Sequence, residues 1–497
     1  LQYRAFERTI SKGHFERDQC KVTKIGSILR VYKSLSGRWN KMPNEESNDG
    51  LNRRVFLSSV AAAVAVPAAA TTGGKPSASA EKLAVNGGSP VRAKRLETEY
   101  PGTQFYGQEE RTEVTQAYDS HSLFRYYGPN VPVKTANFEK ELKAFTGSKY
   151  ALGVTSGTAA LHVALTALGV GPQDEVILPA WTWHSCYTAV LLTGALPVFA
   201  EVDESFTIDP DDVEKKITDR TKVIMAVHLF GTSADIDRVK SVAQGKKIKL
   251  LEDAAQSFGA QYKGKRLGSM GDMGIYSFQL HKMITAGEGG AVITNDALLY
   301  ERAVRFHDLG LMRPYHREIL GQPQMPYFVG LNYRMNEMTA AVMRGQLRKI
   351  ETILACHRTN ARYVRERLQD LPGMKFRRSN DLAGETGWTI DFLLPDKEIR
   401  NRYIKAVNAE NISMGPPSAA TPLPTFPYII NKMAPHPSWP SFNSARGKEI
   451  RYGPECCPRT LSIYDRAATL TIGPKYTQSD LDDIVHAITK VHRSLLV

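Results

Sequence analysis

One lysine stands where the chain could carry out carbonyl chemistry. Lys282 ends the segment 277–282 (SFQLHK), and residues 287–290 (GEGG) form a glycine-rich turn shortly after it. This pattern predicts that the lysine lies between the end of a strand and a turn. An amine held there, out of bulk water, has a lowered pKa. In its neutral form it can form an imine with an aldehyde.

A small polar turn further upstream could bind a phosphate group. Residues 150–154 predict a short strand, and the Ala- and Leu-rich residues 159–168 predict a helix. Gly157 and Thr158 lie between them, where the first backbone N–H groups of a helix are free to bind an anion. The same turn could instead be an ordinary strand-to-helix connection, capped by a Ser or Thr hydroxyl.

Three more residues follow predicted strands and could bind a planar ring. Trp183 could stack on the ring, or it could only bury apolar area. Asp253 ends an apolar segment, so its carboxylate could keep a pyridine nitrogen protonated, or it could cap a helix. Gln256 could hydrogen-bond a phenolic oxygen or complete a capping box. Together with the lysine and the phosphate cradle, these are the parts of a pyridoxal phosphate (PLP) site.

These segments resemble the DegT/DnrJ/EryC1/StrS family of PLP-dependent aminotransferases, which act on sugars and cyclitols. The resemblance runs from about Leu83 to the C-terminus and is strongest over residues 151–295 and 330–341. The motifs that carry it are residues 155–161 (TSGTAAL), residues 252–256 (EDAAQ), Ser277-Phe278 with Lys282, residues 287–290 (GEGG) and residues 330–335 (GLNYRM).

The resemblance implies a role for each candidate residue. It implies that Lys282 is the catalytic lysine that forms the imine with PLP, and that Asp253 binds the ring nitrogen. Asn332 falls where family members contact the phosphate of a neighbouring subunit, which implies a homodimer with shared active sites. The other implied contacts are a stacking ring, a partner of the phenolic oxygen and three phosphate contacts, namely Trp183, Gln256, and Gly157, Thr158 and Ser277.

The implied reaction moves an amino group from glutamate or glutamine to a keto-sugar, nucleotide-linked or free, or to a keto-cyclitol. The mechanism is expected to be ping-pong, with Lys282 as general base and acid. One alternative is a PLP-dependent sugar dehydratase of the same fold, in which a histidine replaces the lysine. Here His281 is adjacent, but Lys282 holds the aligned position. Another alternative is a non-catalytic sugar-binding protein of the cell envelope.

Three residues are candidates for contact with the substrate. Arg334 could bind the donor carboxylate, because a guanidinium group suits a planar carboxylate, or it could form a structural ion pair. His228 could contact cofactor or substrate, or it could be a core histidine. Tyr126 could line the acceptor pocket or pack in a turn. The sequence shows no spacing typical of metal ligands, so no metal is expected.

Length and periodicity predict the domain organisation. The chain has 497 residues, of which 42% are hydrophobic, enough for two domains. Strands alternate with helices over residues 151–296, which predicts an α/β structure with a mainly parallel sheet. The family implies the aspartate-aminotransferase-like fold type I. We expect an N-terminal arm and a large PLP-binding domain over residues 83–335. A bridging helix and a small C-terminal α+β domain are expected over residues 336–497.

The residues before this region carry a separate signal. Residues 1–41 contain ten Lys or Arg and three acids, more than half of the net charge of +13, and no nucleic-acid motif accompanies them. We expect this segment to be disordered or mistranslated upstream sequence, and we expect no nucleic-acid partner.

Arg53 and Arg54 precede the apolar residues 58–70, so residues 42–82 predict a twin-arginine signal and linker. An Ala-rich disordered tail is the alternative. The signal predicts transient contact with the export machinery and a periplasmic or envelope location; otherwise the protein is expected in the cytoplasm.

Overall fold

Strands and helices alternate along residues 81–97, 99–418 and 420–497, which are the residues that this computed structural model describes. The predicted upstream segment 1–41 and the predicted signal with its two arginines lie outside the described residues. None of the described helices combines the length and the apolar composition that crossing a bilayer requires.

The elements have the following bounds. The strands are β1 Tyr150–Val154, β2 Glu175–Pro179, β3 Trp181–Thr182, β4 Leu196–Ala200, β5 Thr221–Val227, β6 Lys249–Asp253, β7 Gln261–Tyr262, β8 Lys265–Arg266, β9 Met273–Ser277, β10 Gly290–Thr294, β11 Thr389–Leu393, β12 Met414–Gly415, β13 Thr421–Pro422 and β14 Ala467–Thr471. The helices are α1 Gln108–Asp119, α2 Lys134–Thr146, α3 Gly157–Ala167, α4 His184–Leu192, α5 Pro210–Lys216, α6 Ile236–Gly245, α7 Ala297–His307, α8 Pro314–Leu320, α9 Glu337–Leu368, α10 Lys397–Ala409, α11 Pro427–Ile430, α12 Pro440–Asn443, α13 Ala445–Glu449, α14 Pro458–Arg466 and α15 Gln478–Leu495. The 3-10 helices are Ala84–Asn86, Gly102–Phe105, Leu229–Gly231, Leu382–Gly384, Leu423–Thr425 and Pro454–Cys456.

The largest sheet in the described part of the chain has seven strands in the order β1-β10-β9-β6-β5-β2-β4. Neighbours from β9 through β4 pair in parallel, and β10 runs antiparallel to both β1 and β9. Every residue of β2, β4, β9 and β10 is buried, as expected for strands covered by helices on both faces. The predicted α/β structure with a mainly parallel sheet is confirmed.

This strand order brings several loops to one edge of the sheet. Strands β1, β2, β5, β6 and β9 share one direction, so their carboxyl ends lie at the same edge. At that edge the register places the start of β10 between two strand ends: Gly290 pairs with Val154 on one side and Ser277 on the other. Ligands of open α/β sheets bind at this edge, so the loops that follow these strands are candidates for the site.

A second, antiparallel sheet has the strand order β11-β14-β12. The apolar face of this sheet packs with α10 and α15 in a separate hydrophobic cluster. The residues of that face are Ile390, Phe392, Met414, Ala468 and Leu470. Because side chains alternate along a strand, the other face carries polar residues. Thr389 pairs with Thr471, and Asp391 pairs with Thr469, so these four residues share that polar face.

The 32-residue helix α9 connects the two hydrophobic clusters. It begins after Asn336, whose side chain accepts a hydrogen bond from the Thr339 N–H at 2.9 Å. Met343 and Leu347 pack in the cluster under the large sheet, whereas Val364 and Leu368 pack in the cluster under the small sheet. Leu83 and Leu96 also belong to the second cluster, so the segment before the large sheet packs against the small one.

Candidate active site

A cavity of about 1020 Å³ lies at the carboxyl edge of the large sheet and is also lined by the polar face of the small sheet. The sequence-predicted residues that line it are Gly157, Thr158, Trp183, Asp253, Gln256, Ser277 and Lys282. The small sheet contributes Thr389, Thr469 and Thr471. The structure therefore brings the predicted lysine, acid, aromatic ring and phosphate cradle together in one cavity.

Lys282 lies in the loop between β9 and β10. Its backbone N–H donates to the Gln279 carbonyl at 2.9 Å, which keeps this loop tightly turned. Within the described residues its Nζ atom makes no hydrogen bond. Burial lowers the pKa of the amine below the usual lysine value, while the negative charge of Asp253 partly opposes this shift. More of the amine is therefore neutral, and able to attack a carbonyl carbon, than in an exposed lysine.

Asp253 is buried at the end of β6. Its Oδ1 atom accepts a hydrogen bond from the Ala255 N–H at 2.9 Å, and its Oδ2 atom accepts one from the Cys186 thiol at 3.2 Å. Residues 254–260 form turns, not a helix, so neither a helix cap at Asp253 nor a capping box at Gln256 is present. Burial raises the pKa of this carboxyl group, and the two hydrogen bonds oppose that shift.

The turn between β1 and α3 caps the helix and also leaves two backbone N–H groups open. The Ser156 hydroxyl caps α3 by accepting from the Ala159 N–H at 3.1 Å. The N–H groups of Gly157 and Thr158 make no hydrogen bond within the described residues and remain open to an anion. Ser277 lies so close that a Cβ atom on Gly157 would be 2.6 Å from the Ser277 Cβ. Only glycine therefore fits the floor of this cradle.

The two neighbouring tryptophans have different environments. Trp181 is fully buried, and its indole N–H donates to the Ala420 carbonyl at 3.0 Å. Trp183 is 50% exposed, immediately precedes α4 and lines the cavity. Gln256 also lines the cavity, and its Oε1 atom accepts from the Phe230 N–H at 3.2 Å. The side-chain amide of Gln256 is thereby oriented at the same site.

These residues fit PLP. The open N–H groups beside Ser277 suit a phosphate, and the half-exposed indole suits a flat aromatic ring. The buried carboxylate of Asp253 suits a protonated pyridine nitrogen, and the partly neutral amine of Lys282 suits an aldehyde.

Comparison with known proteins identifies the family. The profile of the DegT/DnrJ/EryC1/StrS aminotransferase family matches residues 105–489. The chain belongs to this family. It is therefore an enzyme, a PLP-dependent aminotransferase of fold type I, as predicted.

Individual relatives cover most of the same region. The GDP-perosamine synthase of Escherichia coli O157:H7 is 34% identical over 328 residues, which are 63% of this chain and 86% of the relative. The L-glutamine:2-deoxy-scyllo-inosose aminotransferase of Streptomyces kanamyceticus is 32% identical over 445 residues, 84% of this chain and 98% of the relative. The crystal structure of 3-amino-5-hydroxybenzoic acid synthase superposes with a TM-score of 0.67 at 28% identity, covering 80% of this chain and all of that one.

Two of the predicted substrate residues lie outside the cavity lining of the aminotransferase. His228 is fully buried; its Nδ1 accepts from the Ala234 N–H at 3.1 Å, so its Nε2 donates to Glu252 at 3.0 Å. The Tyr126 hydroxyl lies 3.1 Å from His307 Nε2 and 3.0 Å from His316 Nε2. Both side chains thus have their polar partners among packed neighbours in the same chain.

Arg334 and Asn332 also lie outside the lining. Arg334 forms an ion pair with Asp308, and its guanidinium group lies 5.4 Å from the centre of the Phe124 ring. This is the structural ion pair that the sequence left as an alternative. Asn332 is exposed on the same segment and does not reach the cavity of its own chain.

Some lining residues were not predicted from the sequence. Thr389, which lines the cavity, alternates with apolar residues in β11, and this period of two indicates a strand with one polar face. Arg95 belongs to an irregular segment without periodicity, so no sequence pattern indicates its position. Cys186 resembles an ordinary buried cysteine until the structure places it beside Asp253.

The phosphate cradle generates a prediction. In Gly157→Ala, the new methyl group overlaps the Ser277 Cβ. Overpacking of this kind costs about 1–3 kcal/mol. We expect PLP to bind roughly ten- to hundredfold more weakly, as measured by quenching of tryptophan fluorescence. Gly245→Ala, at the end of α6 where a methyl group meets open space, is the control and should bind PLP normally. An unchanged affinity in Gly157→Ala, with circular dichroism confirming a folded protein, would contradict the assignment of the cradle.

Proposed function

We propose that this aminotransferase moves an amino group from glutamate or glutamine to a keto-sugar or keto-cyclitol in a ping-pong reaction. The observation that carries the proposal is that Lys282 and Asp253 share one cavity with the polar face of the small sheet, which contributes Thr389, Thr469 and Thr471. The relative from Streptomyces kanamyceticus, which aligns over 84% of this chain, is named for a glutamine donor and an inosose acceptor.

Each residue of the site has a separate role in the proposed reaction. Bound PLP supplies an aldehyde and a ring that withdraws electrons from the reacting carbon. The cradle of Gly157, Thr158 and Ser277 would hold the phosphate group. Asp253 would keep the ring nitrogen protonated by presenting a carboxylate to it. The Nζ atom of Lys282 would take a proton from the donor α-carbon as general base and release it again as general acid.

The small sheet suits an acceptor with several hydroxyl groups. Thr389 and Thr469 donate hydrogen bonds to the buried carboxylate of Asp391, at 3.0 Å and 2.7 Å. Because each hydroxyl has one proton, both oxygens are left as acceptors for the O–H groups of a ligand. The cavity volume lies at the upper end of the range for small-molecule sites, which leaves room for cofactor and substrate together.

The transfer itself is directly testable. We expect purified protein with PLP and ¹⁵N-labelled glutamate or glutamine to label at least one acceptor in a panel of keto-sugars and inososes, read out by mass. Lys282→Ala should lose about 10²–10⁴-fold in rate, because it lacks the proton-transferring amine. Borohydride should attach PLP permanently to the wild-type protein but not to this variant. The exposed Lys265→Ala is the control.

The outcomes of this experiment separate the alternatives. Loss of water from a sugar without transfer of label would support the dehydratase. A protein that binds sugars but neither transfers label nor retains PLP after borohydride would support the non-catalytic binding protein.

Arg95 is our candidate for binding the donor carboxylate, in place of Arg334. Among the described residues that line the cavity it is the one arginine. Its Nε donates to the Ser413 hydroxyl at 2.8 Å and its Nη2 to Asn408 Oδ1 at 3.1 Å. These two bonds hold the guanidinium group in place and leave further N–H groups for a planar carboxylate.

Arg95→Gln should therefore weaken the donor half-reaction. We expect the KM for glutamate or glutamine to rise about tenfold with little change in kcat, since one exposed charge-assisted contact is lost. The change in cofactor absorbance after mixing with the donor alone measures this step. Arg111→Gln, on the exposed surface of α1, should behave like wild type. A normal donor KM with a raised acceptor KM would instead assign Arg95 to the acceptor.

We further infer that the enzyme is a homodimer. The segment 309–331 exposes a cluster of apolar side chains, namely Leu309, Leu311, Tyr327, Val329 and Leu331. Exposed apolar residues concentrated in this way are typical of protein interfaces. Asn332 follows directly and is also exposed. A second copy covering this segment would bury the cluster and could receive Asn332 at its own phosphate site, as the family resemblance implies.

Val329→Asp tests the dimer, since this side chain is 89% exposed and its replacement leaves the fold of one chain intact. We expect light scattering after size exclusion to show a smaller species than for wild type, with weaker PLP binding. Leu382→Asp, at an exposed apolar residue outside the cluster, is the control. A wild-type monomer, or an unchanged mass for Val329→Asp, would contradict the inference.

Export by the twin-arginine route remains a proposal that rests on Arg53, Arg54 and the apolar residues after them. That route carries folded proteins, so PLP would be bound in the cytoplasm before transport to the periplasm or envelope.

A further inference from the structure

The carboxylate of Asp253 is the end of a buried chain of hydrogen bonds. Cys186, in the first turn of α4, places its Sγ atom 3.2 Å from Asp253 Oδ2 and lines the cavity. The Thr182 hydroxyl, from β3, lies 3.1 Å from the same sulfur. A thiol has one proton, and this geometry directs it to the carboxylate, so Thr182 is the donor to the sulfur. The chain of donors therefore runs from Thr182 through Cys186 to Asp253.

We propose that Cys186 is a positioning residue for Asp253, whose thiol fixes the carboxylate in the orientation that meets the ring nitrogen of PLP. The Ala255 N–H holds Oδ1 and the thiol holds Oδ2, so the plane of the carboxylate is set from two sides. Loss of the thiol proton donor would leave Oδ2 free to rotate. The inference depends on the PLP site but not on the identity of the amino donor or acceptor.

The thiol acts as a hydrogen-bond donor and not as a nucleophile. Cys186 is 1% exposed. Burial raises the pKa of its thiol well above the usual cysteine value, and the negative charge of Asp253 adds to this shift. Reactive cysteines have lowered pKa values, which is the opposite shift. The S–H group therefore stays protonated near neutral pH.

The same hydrogen bond has an electrostatic consequence. Burial raises the pKa of the Asp253 carboxyl group, and the Ala255 N–H and the Cys186 thiol both oppose this by stabilising the charged form. Without the thiol the pKa rises further. The carboxylate then takes up a proton at a higher pH as the solution is acidified. The ring nitrogen loses its negatively charged partner at that higher pH.

Three substitutions at Cys186 separate hydrogen bonding from packing. Cys186→Ser keeps a donor, whereas Cys186→Ala and the larger Cys186→Val have none. We expect PLP to bind about tenfold more weakly to the Ala and Val variants, as for loss of one hydrogen bond to a charged group. The acid-side loss of PLP binding should also move to higher pH in these two. The Ser variant should stay within about threefold of wild type at each pH. Fluorescence titration with PLP measures these affinities without any turnover.

Melting of the PLP-free proteins supplies the second readout. If the role of Cys186 were purely structural, the variants would lose PLP affinity in parallel with their melting temperatures. The Ser variant would then bind PLP no better than the Ala variant. That pattern, or wild-type affinity and pH dependence in Cys186→Ala, would overturn the proposal. Should the Cys186 variants not fold, Thr182→Val keeps the thiol but removes the hydroxyl that donates to its sulfur. It should weaken PLP binding in the same direction, and unchanged binding would overturn the proposal as well.

Discussion

The site depends on the electrostatic interaction between the amine of Lys282 and the carboxylate of Asp253, which line the same cavity. Burial alone acts against the charged form of both groups: it lowers the pKa of the lysine and raises that of the aspartate. Their mutual attraction limits both shifts. Burial gives the lysine a larger neutral fraction than an exposed lysine has, while the attraction helps the aspartate to keep its negative charge. The large sheet is the scaffold that places these two groups in the same cavity.

The part of the site built from strand ends was predictable, because parallel strands bring all their carboxyl ends to one edge. Four site residues lie at or just beyond such an end, namely Gly157, Trp183, Asp253 and Ser277. A short sequence motif at a strand end therefore also predicts where its residues lie in the folded protein. Lys282 belongs to the same group because it lies in the loop after β9, and β10 returns beside β9 once that loop ends. The fold followed from the same alternation of strands and helices.

The remaining residues depend on contacts between distant segments, which local patterns do not encode. Thr469 meets Asp391 through the antiparallel register of β11 and β14, across 78 positions of sequence. Arg95 reaches the cavity from a segment with no periodicity. Arg334 and His228 have the residue types expected of a ligand contact. Each instead contacts a buried carboxylate of the same chain, Asp308 and Glu252 respectively.

The connection through α9 has a mechanical consequence for catalysis. One end of this helix packs under the large sheet and the other under the small sheet, and both sheets contribute a wall to the cavity. Leu96, next to Arg95, packs with the small sheet, so the position of Arg95 is tied to that sheet. A slight bend of α9 would change the width of the cleft and carry the guanidinium group along.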